Sequence, residues 1–513
     1  MGIDGPIVIG ESVLAARDVV AVARAAANVS IAPMAREAMT RSRTAVEALG
    51  SSPTPAYGIS TGFGALATRH IAPEQRTRLQ RSLIRSHAAG MGAVVEREVV
   101  RAMMLLRLRT LCTGHTGVRP TVADALAALL NQGITPIVHE HGSLGCSGDL
   151  APLSHVALAL MGEGDVEMDG ARIEAGDAMA RRGLVPIVLE AKEGLALING
   201  TDGMLGMLLL SLDDLDRLTR LADITAAMSV EALLGTDQVF RPELQSLRPH
   251  PGQAASAANL LRLLAGSEIV ASHRAGDDRV QDAYSLRCAP QVAGAVRDTV
   301  SFARQTAERE LAATIDNPVV LADGRVSSNG NFHGAPVAYA CDFLAIAVAD
   351  LGSIAERRTD RLLDRARSHG LPPFLAADPG VDSGLMIAQY TQAAMVSENK
   401  RLAAPASVDS IPSSAMQEDH VSMGWGAARK LRRAIDNLTA ILAIELVVAA
   451  RGLDLRAPLV PAEGTAAAVG VLRAQVDGPG PDRFVAPELE RAAALVASGA
   501  VLEAVERVVG PLA

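Results

Sequence analysis

Four stretches beyond Gly200 carry apolar residues at helical spacing with few breaks: Met204 to Leu233, Pro290 to Ile315, Ala335 to Leu363 and Trp425 to Leu453. Apolar positions recurring every three or four residues over such lengths predict long α-helices. Helices that long are stable only when neighbours cover their apolar faces. In Ala335 to Leu363, small and apolar residues persist round nearly every face until the charged run Glu356-Arg-Arg-Thr-Asp-Arg361, which predicts burial in a bundle or in an interface between copies. Hydrophobic residues make up 49% of the chain and aromatics 2%. Ala, Leu and Val must therefore supply the core, a composition that suits close-packed helices better than a sheet sandwich. The expected fold class is mainly α: a long central helical bundle over residues 201–513, preceded by a loop-rich N-terminal region over 1–200. Gly/Pro breaks such as Gly50-Ser-Ser-Pro-Thr-Pro-Ala-Tyr57 and Gly133-Ile-Thr-Pro-Ile-Val-His139 punctuate that first region. The stretch from Asp454 to Gly480, rich in Ala, Pro and Gly, is expected to separate the bundle from a final amphipathic helix near Glu488 to Val508.

Length and charge narrow the function. At 513 residues the chain has ample material for more than one packed region. A formal charge of −9, from 48 basic and 57 acidic residues, leaves no basic stripe for nucleic acid. Cys112, Cys146, Cys288 and Cys341 form no CxxC pair, so free thiols in a reducing compartment are expected. The N-terminus lacks a basic segment followed by an apolar one, and a cytoplasmic protein with no membrane partner is expected.

The run Gly142-Ser-Leu-Gly-Cys-Ser-Gly-Asp-Leu-Ala-Pro-Leu-Ser-His155 holds the chemistry. If the backbone nitrogen of Gly148 attacks the carbonyl carbon of Cys146, a five-membered ring closes. Loss of two waters then turns Ser147 into a dehydroalanine-like alkene, and the tripeptide becomes a methylidene imidazolone. Glycine at 148 permits the cramped backbone approach, serine supplies the leaving hydroxyl, and the cysteine side chain only decorates the ring.

Other segments place polar groups in suggestive patterns, each with an ordinary structural alternative. Tyr57 precedes the Gly-rich run Gly58-Ile-Ser-Thr-Gly-Phe-Gly64; a turn residue is the ordinary reading, and no strand-to-helix fingerprint makes it a phosphate loop. His87 lies in Leu83-Ile-Arg-Ser-His-Ala-Ala-Gly-Met-Gly92, where a hydrogen-bonded helix histidine is the plain alternative. Asn199 in Leu195-Ala-Leu-Ile-Asn-Gly-Thr201 could be a cap. Gln281, Tyr284 and Arg287 recur at steps of three, which would align them on one face of a helical turn, either lining a site or facing solvent. Phe332 in Ser328-Asn-Gly-Asn-Phe-His-Gly-Ala-Pro336 is one of seven phenylalanines and could be an aromatic anchor. Glu418, in a Glu-Asp-His run, could open a helix or contribute to a metal site with His139 and His141; nothing specifies that proximity, and no metal is expected.

Taken in order, these segments resemble the aromatic amino acid ammonia-lyases, which carry Ala-Ser-Gly-Asp-Leu-Ala-Pro-Leu more often than the Cys-Ser-Gly form found here. The resemblance runs from about Ile9 to the C-terminus. It implies the aromatic amino acid lyase fold, a homotetramer with sites lined by more than one subunit, and a methylidene imidazolone (MIO) formed autocatalytically from Cys146, Ser147 and Gly148, with no external cofactor. It also implies roles. Tyr57 would be the base that removes a substrate β-proton, which requires that its phenol, ordinarily of pKa about 10, be favoured as phenolate. Asn199 would donate to the imidazolone oxygen, and Phe332 would pack beside the ring. Arg287 would fork onto the substrate carboxylate, Tyr284 would sit near the amine and β-carbon, and Gln281 would hydrogen-bond near them. His87 and Glu418 match the histidine-reading members, so the implied substrate is L-histidine and the implied products are trans-urocanate and ammonia, the entry reaction of histidine degradation. Whether the electrophile meets the amine or the imidazole ring stays open. A phenylalanine or tyrosine lyase, an aminomutase and a catalytically inactive homologue are the competing readings.

Overall fold

Helical spacing becomes helix at all four long stretches. In a computed structural model of the chain they run Asp202–Ala232, Ala289–Ala312, Ala335–Leu363 and Gly424–Asp454, within a few residues of the sequence expectation. The structure describes residues 5–50, 58–62, 68–277 and 279–513. Among them helix dominates, and the strands are short. Ala335–Leu363 is long and apolar enough to cross a membrane, with mean hydropathy 1.7, but 61% of its most apolar window is buried inside the protein, as in a core helix.

The chain forms two compact units. The first comprises Met1–Leu210, Arg304–Asp342 and Pro405–Arg429. Its centre is the helix Arg97–Leu111, buried over most of its length and packed against Ala16–Arg24, Pro120–Asn131 and Leu150–Leu160. Buried arginines in that helix hold backbone carbonyls near the C-terminal ends of neighbouring helices. Arg101, for instance, donates to the carbonyls of Val22 at 2.9 Å and Leu130 at 3.1 Å. Small strand pairs brace the periphery: Ile7–Ile9 lies parallel to Val29–Ile31, Met91–Val94 antiparallel to His139–His141, and Asp165–Met168 between Thr135–Pro136 and Ala171–Glu174. Buried Ile59 packs with Val46 and Val320.

The second unit comprises Ser211–Ala303, Phe343–Ala404 and Lys430–Ala513. Here a buried carboxylate joins three long helices. Glu445 accepts from Thr225 Oγ1 at 2.8 Å and Ser229 Oγ at 2.9 Å and is ion-paired with Arg358. Every donor being supplied from a different turn, the pair satisfies its charges internally, as a buried ion pair must to be tolerated.

Two C-terminal expectations change. The stretch after Asp454 is not merely a connector: Ala-rich Glu463–Arg473 is helical, as alanine's propensity favours. The final helix is two, Ala486–Ser498 and Ala500–Val509, divided at Gly499, whose φ of +80° is left-handed.

Candidate active site

The turn before the helix Leu150–Leu160 has a conformation that only glycine tolerates at residue 148. Gly148 has φ +75°, and a Cβ there would lie 2.0 Å from the carbonyl oxygen of Gly200. The amide of Asp149 donates to that same oxygen at 2.7 Å, so the two backbones are in direct contact. The buried Asp149 carboxylate adds a second tie. Its Oδ2 accepts from the amides of Gly203 and Met204, each at 2.9 Å, and its Oδ1 from Ser143 Oγ at 2.9 Å. Those amides are unpaired first-turn donors of Asp202–Ala232, so Asp149 satisfies the start of a helix to which it does not belong. Burial pushes its carboxyl up to about 7, against the pull of these donors.

Asn199 ends the short helix Glu193–Ile198. Ser147 Oγ donates to Asn199 Oδ1 at 2.5 Å, while Asn199 Nδ2 donates to the carbonyl of Asn317 at 2.9 Å. A buried scaffold holds this residue in place. Arg107 donates to the carbonyls of Ala196 at 2.9 Å and Asn199 at 3.1 Å and pairs with Asp202 at 2.6 Å. A Cβ on Gly200 would overlap the Arg107 guanidinium at 2.0 Å, so the Asn-Gly sequence lets the chain pass over the arginine. Lys192 and Asp316, both fully buried, pair at 2.5 Å, and Asp316 also accepts from the amide of Asn317 at 2.8 Å. Asn329 then donates through its own amide to Asn317 Oδ1 at 3.0 Å.

On the other side of the turn lies the loop preceding Gly424–Asp454. Ser422 Oγ donates to the carbonyl of Gly145 at 3.0 Å, and the amide of Met423 donates to that of Leu144 at 2.9 Å. Glu418, on this loop, accepts from Ser413 Oγ at 2.9 Å; burial first, and then the Glu418 charge, push the Cys146 thiol up to about 12. His87 is the last residue of Arg76–His87; its Nδ1 donates to the carbonyl of Leu83 at 2.9 Å, which leaves Nε2 as an acceptor in the neutral ring. Burial lowers the His87 pKa, while the Leu83 carbonyl and the nearby Glu418 charge act the other way. Phe332 is half-buried in the segment whose next residue, His333, stacks on His420 with ring centroids 5.7 Å apart.

The first unit thus brings together His87, Cys146, Ser147, Gly148, Asn199, Phe332 and Glu418. Gln281, Tyr284 and Arg287 belong to the second. There the helical turn covers Tyr284–Arg287 only, beginning after extended Ala283, so Gln281 stands before it rather than on its face. The Arg287 guanidinium lies 4.5 Å over the ring of Tyr284, a cation–π arrangement that presents both side chains together. Tyr57 lies outside the described residues. Sequence reasoning missed Arg107, Lys192, Asp316 and Asn317 as the supports of Asn199. One signal existed: Lys192, close ahead of the Asn199 segment, is one of three lysines among 48 basic residues, and a lone lysine among arginines invites a specific explanation.

The turn fits the expected imidazolone. Gly148 is free of the Cβ that would block its close approach to Gly200, and the Ser147 hydroxyl already has an acceptor in Asn199. The supports just described are rigid and buried, which suits a group that must hold one orientation.

Comparison with known proteins agrees over nearly the whole chain. The family model for aromatic amino acid lyases matches residues 14–474. The chain is similar to a histidine ammonia-lyase of Streptomyces avermitilis, 67% identical over 509 residues and 99% of each chain. Among solved structures it is similar to a tyrosine aminomutase from Streptomyces globisporus, with TM-score 0.93 and 39% identity over 98% of each chain. A histidine ammonia-lyase from Trypanosoma cruzi matches with TM-score 0.90 and 38% identity over 98% of this chain and 95% of that one.

Proposed function

The chain belongs to the aromatic amino acid lyase family, and from that premise we propose that it removes ammonia from L-histidine to leave trans-urocanate. The observation that carries the substrate choice is the gathering of His87 and Glu418 in the same unit as the Cys146-Ser147-Gly148 turn, with the Glu418 charge felt by the His87 ring. An imidazole offers one donor and one acceptor at its ring nitrogens. The Glu418 carboxylate accepts from the ring N–H, and neutral His87 supplies a second polar contact. A phenyl ring would offer no donor to the half-buried Glu418 carboxylate, whose protein partner is Ser413 Oγ, and that missing contact discriminates against phenylalanine.

The family uses the MIO prosthetic group, and in this chain Cys146, Ser147 and Gly148 are the residues that would form it. When present, that group supplies an electrophile for a reaction in which a weakly acidic β-proton and a poor leaving group must both depart. The protein's own side chains do the rest. Arg287 binds the substrate carboxylate through its planar fork, with Tyr284 and Gln281 near the amine. Tyr57 takes the β-proton. Asn199 stabilises negative charge at the turn through the second N–H of its Nδ2, the first being held by the Asn317 carbonyl.

A homotetramer in the cytoplasm completes the reading. A groove of about 590 Å³ between Ala289–Ala312 and Ala335–Leu363 is lined by Val292, Val296, Phe302, Phe343 and Ile346, and Phe302, Phe343 and Ile346 are exposed in the single chain. A second copy of the chain would cover these apolar side chains.

The test is a product assay on the purified protein with L-histidine, L-phenylalanine and L-tyrosine in parallel. Urocanate and ammonia from histidine, with the other two turned over at least about 100-fold more slowly, is the expected outcome. A cinnamate-type product at comparable rate, or a β-amino acid, would replace the reading with a phenylalanine or tyrosine lyase or an aminomutase.

A further inference from the structure

The helix that follows the reactive turn also holds the loop that follows His87. We propose that His155 is a positioning residue for substrate recognition: its Nε2 accepts from the amide of Gly90 and so fixes the end of Arg76–His87, and with it the His87 ring, relative to the Cys146-Ser147-Gly148 turn. The inference rests on the histidine reading above and adds a determinant to it.

Leu150–Leu160 starts directly after Asp149, whose carboxylate ties the turn to the amides of Gly203 and Met204. His155 lies on this helix about one and a half turns from its start, so it moves as one body with the turn. The helix packs against Arg76–His87 and against Glu193–Ile198, the elements that lead to His87 and to Asn199. After His87 the chain leaves its helix in three steps. The Ala88 amide donates to the Ile84 carbonyl at 3.0 Å and the Ala89 amide to the His87 carbonyl at 2.8 Å. The next amide, that of Gly90, donates to His155 Nε2 at 3.2 Å instead. Glycines make this convergence possible. A Cβ on Gly90 would lie 3.1 Å from His155 Nε2 and 3.3 Å from His139 Cβ, and one on Gly142 would lie 3.2 Å from Gly90 Cα and 2.9 Å from Ala151 Cβ. The loop after His87, the segment that opens the reactive turn and the first turn of the helix after it therefore meet at this point.

An N–H donor on Nε2 requires that this nitrogen carry no proton, so His155 is a neutral ring protonated at Nδ1. Burial, and after it the neighbouring His139, lower the His155 pKa and favour that form. His139 meets the His155 ring edge-on, with centroids 5.9 Å apart, and its own Nδ1 donates to the Gly92 carbonyl at 2.9 Å. Two histidines thus hold one short loop, one through the Gly90 amide and the other through the Gly92 carbonyl. His87 Nδ1 is committed to the Leu83 carbonyl, so the direction of its Nε2 follows the helix end, and the helix end follows Gly90. A leucine at 155 would fill similar space and leave the Gly90 N–H without its acceptor.

The experiment follows the coupling of His155 to His87. Steady-state kinetics with L-histidine are measured for native protein, His155→Leu, His155→Gln, His87→Ala, and His87→Ala combined with His155→Leu. Loss of one hydrogen bond is expected to raise KM in His155→Leu by about 3- to 10-fold, with kcat changed by less than about twofold. His155→Gln, whose side-chain oxygen accepts in place of Nε2, is expected to bring KM back to within about twofold of native. In the His87→Ala background, adding His155→Leu is expected to move KM by less than about twofold, because the residue it positions is gone. An unchanged KM in His155→Leu overturns the proposal. So does an equal rise with and without His87, or a His155→Gln protein as weak as His155→Leu. Hydrogen exchange of native protein, read at the single amide of Gly90, needs no variant to fold: slow exchange is expected, and exchange at the rate of an unbonded loop amide overturns the proposal. The histidine reading fails separately, on native protein that makes no urocanate.

Discussion

Ser147→Ala is expected to lower kcat for L-histidine by at least about 10⁴-fold, the scale on which loss of an essential reacting group falls, while leaving the fold in place. The substitution removes one hydroxyl, and with it the leaving group that must depart for an alkene to form. The structural cost is small. Ser147 Oγ makes one hydrogen bond, to Asn199 Oδ1, and Asn199 keeps its other anchor on the Asn317 carbonyl, so a stability loss of about 1 kcal/mol is expected. Full-length urea unfolding of native and variant protein checks the second half of this statement, and steady-state kinetics the first. Retention of substantial turnover by Ser147→Ala would remove the serine-derived electrophile from the account.

Gly148→Ala, one residue later, is expected to damage both activity and structure. The left-handed φ of +75° costs an alanine about 1–2 kcal/mol. The new Cβ would also overlap the Gly200 carbonyl at 2.0 Å, and a backbone atom cannot swing aside as a side chain can, adding about 1–3 kcal/mol. Any relief must move the Asn199-Gly200 segment, which Arg107 pins through Ala196, Asn199 and Asp202. Kinetics should therefore show activity as low as in Ser147→Ala, and unfolding should show a further loss of about 2–5 kcal/mol. A Gly148→Ala protein with native stability would mean that the turn is not held against Gly200 as described. The pair of substitutions separates the two demands on the tripeptide, a hydroxyl that leaves and a backbone that can approach.

Why some of this could be read from sequence and some could not follows from the range of each interaction. The long helices announce themselves because apolar spacing is a local property; Ala335–Leu363 has the bounds its pattern suggested. The break at Gly499 leaves no mark in the pattern because the apolar period continues across it, and only the left-handed φ reveals the division. The helix Glu463–Arg473 is hidden in the sequence because proline and glycine flank its run of alanines, as they would flank a connector. At the site, motifs identified the chemical groups, while their supports are pairings between distant segments. Arg107 and Asp202 are 95 residues apart, and Lys192 and Asp316 are 124 apart. Asp202 gains its meaning from buried Arg107 across from it. Burial raises its carboxyl pKa and the Arg107 charge opposes that rise, a balance no local pattern encodes.

The account's central claim is that this chain builds its own electrophile from Cys146, Ser147 and Gly148, and the intact mass of the purified protein tests it most directly. Ring closure with dehydration removes two waters, so the expected mass is that of the sequence less two waters, with Ser147→Ala retaining at least the water of its absent hydroxyl step. A native protein whose mass equals its full sequence would contradict the claim, whatever its fold and relatives.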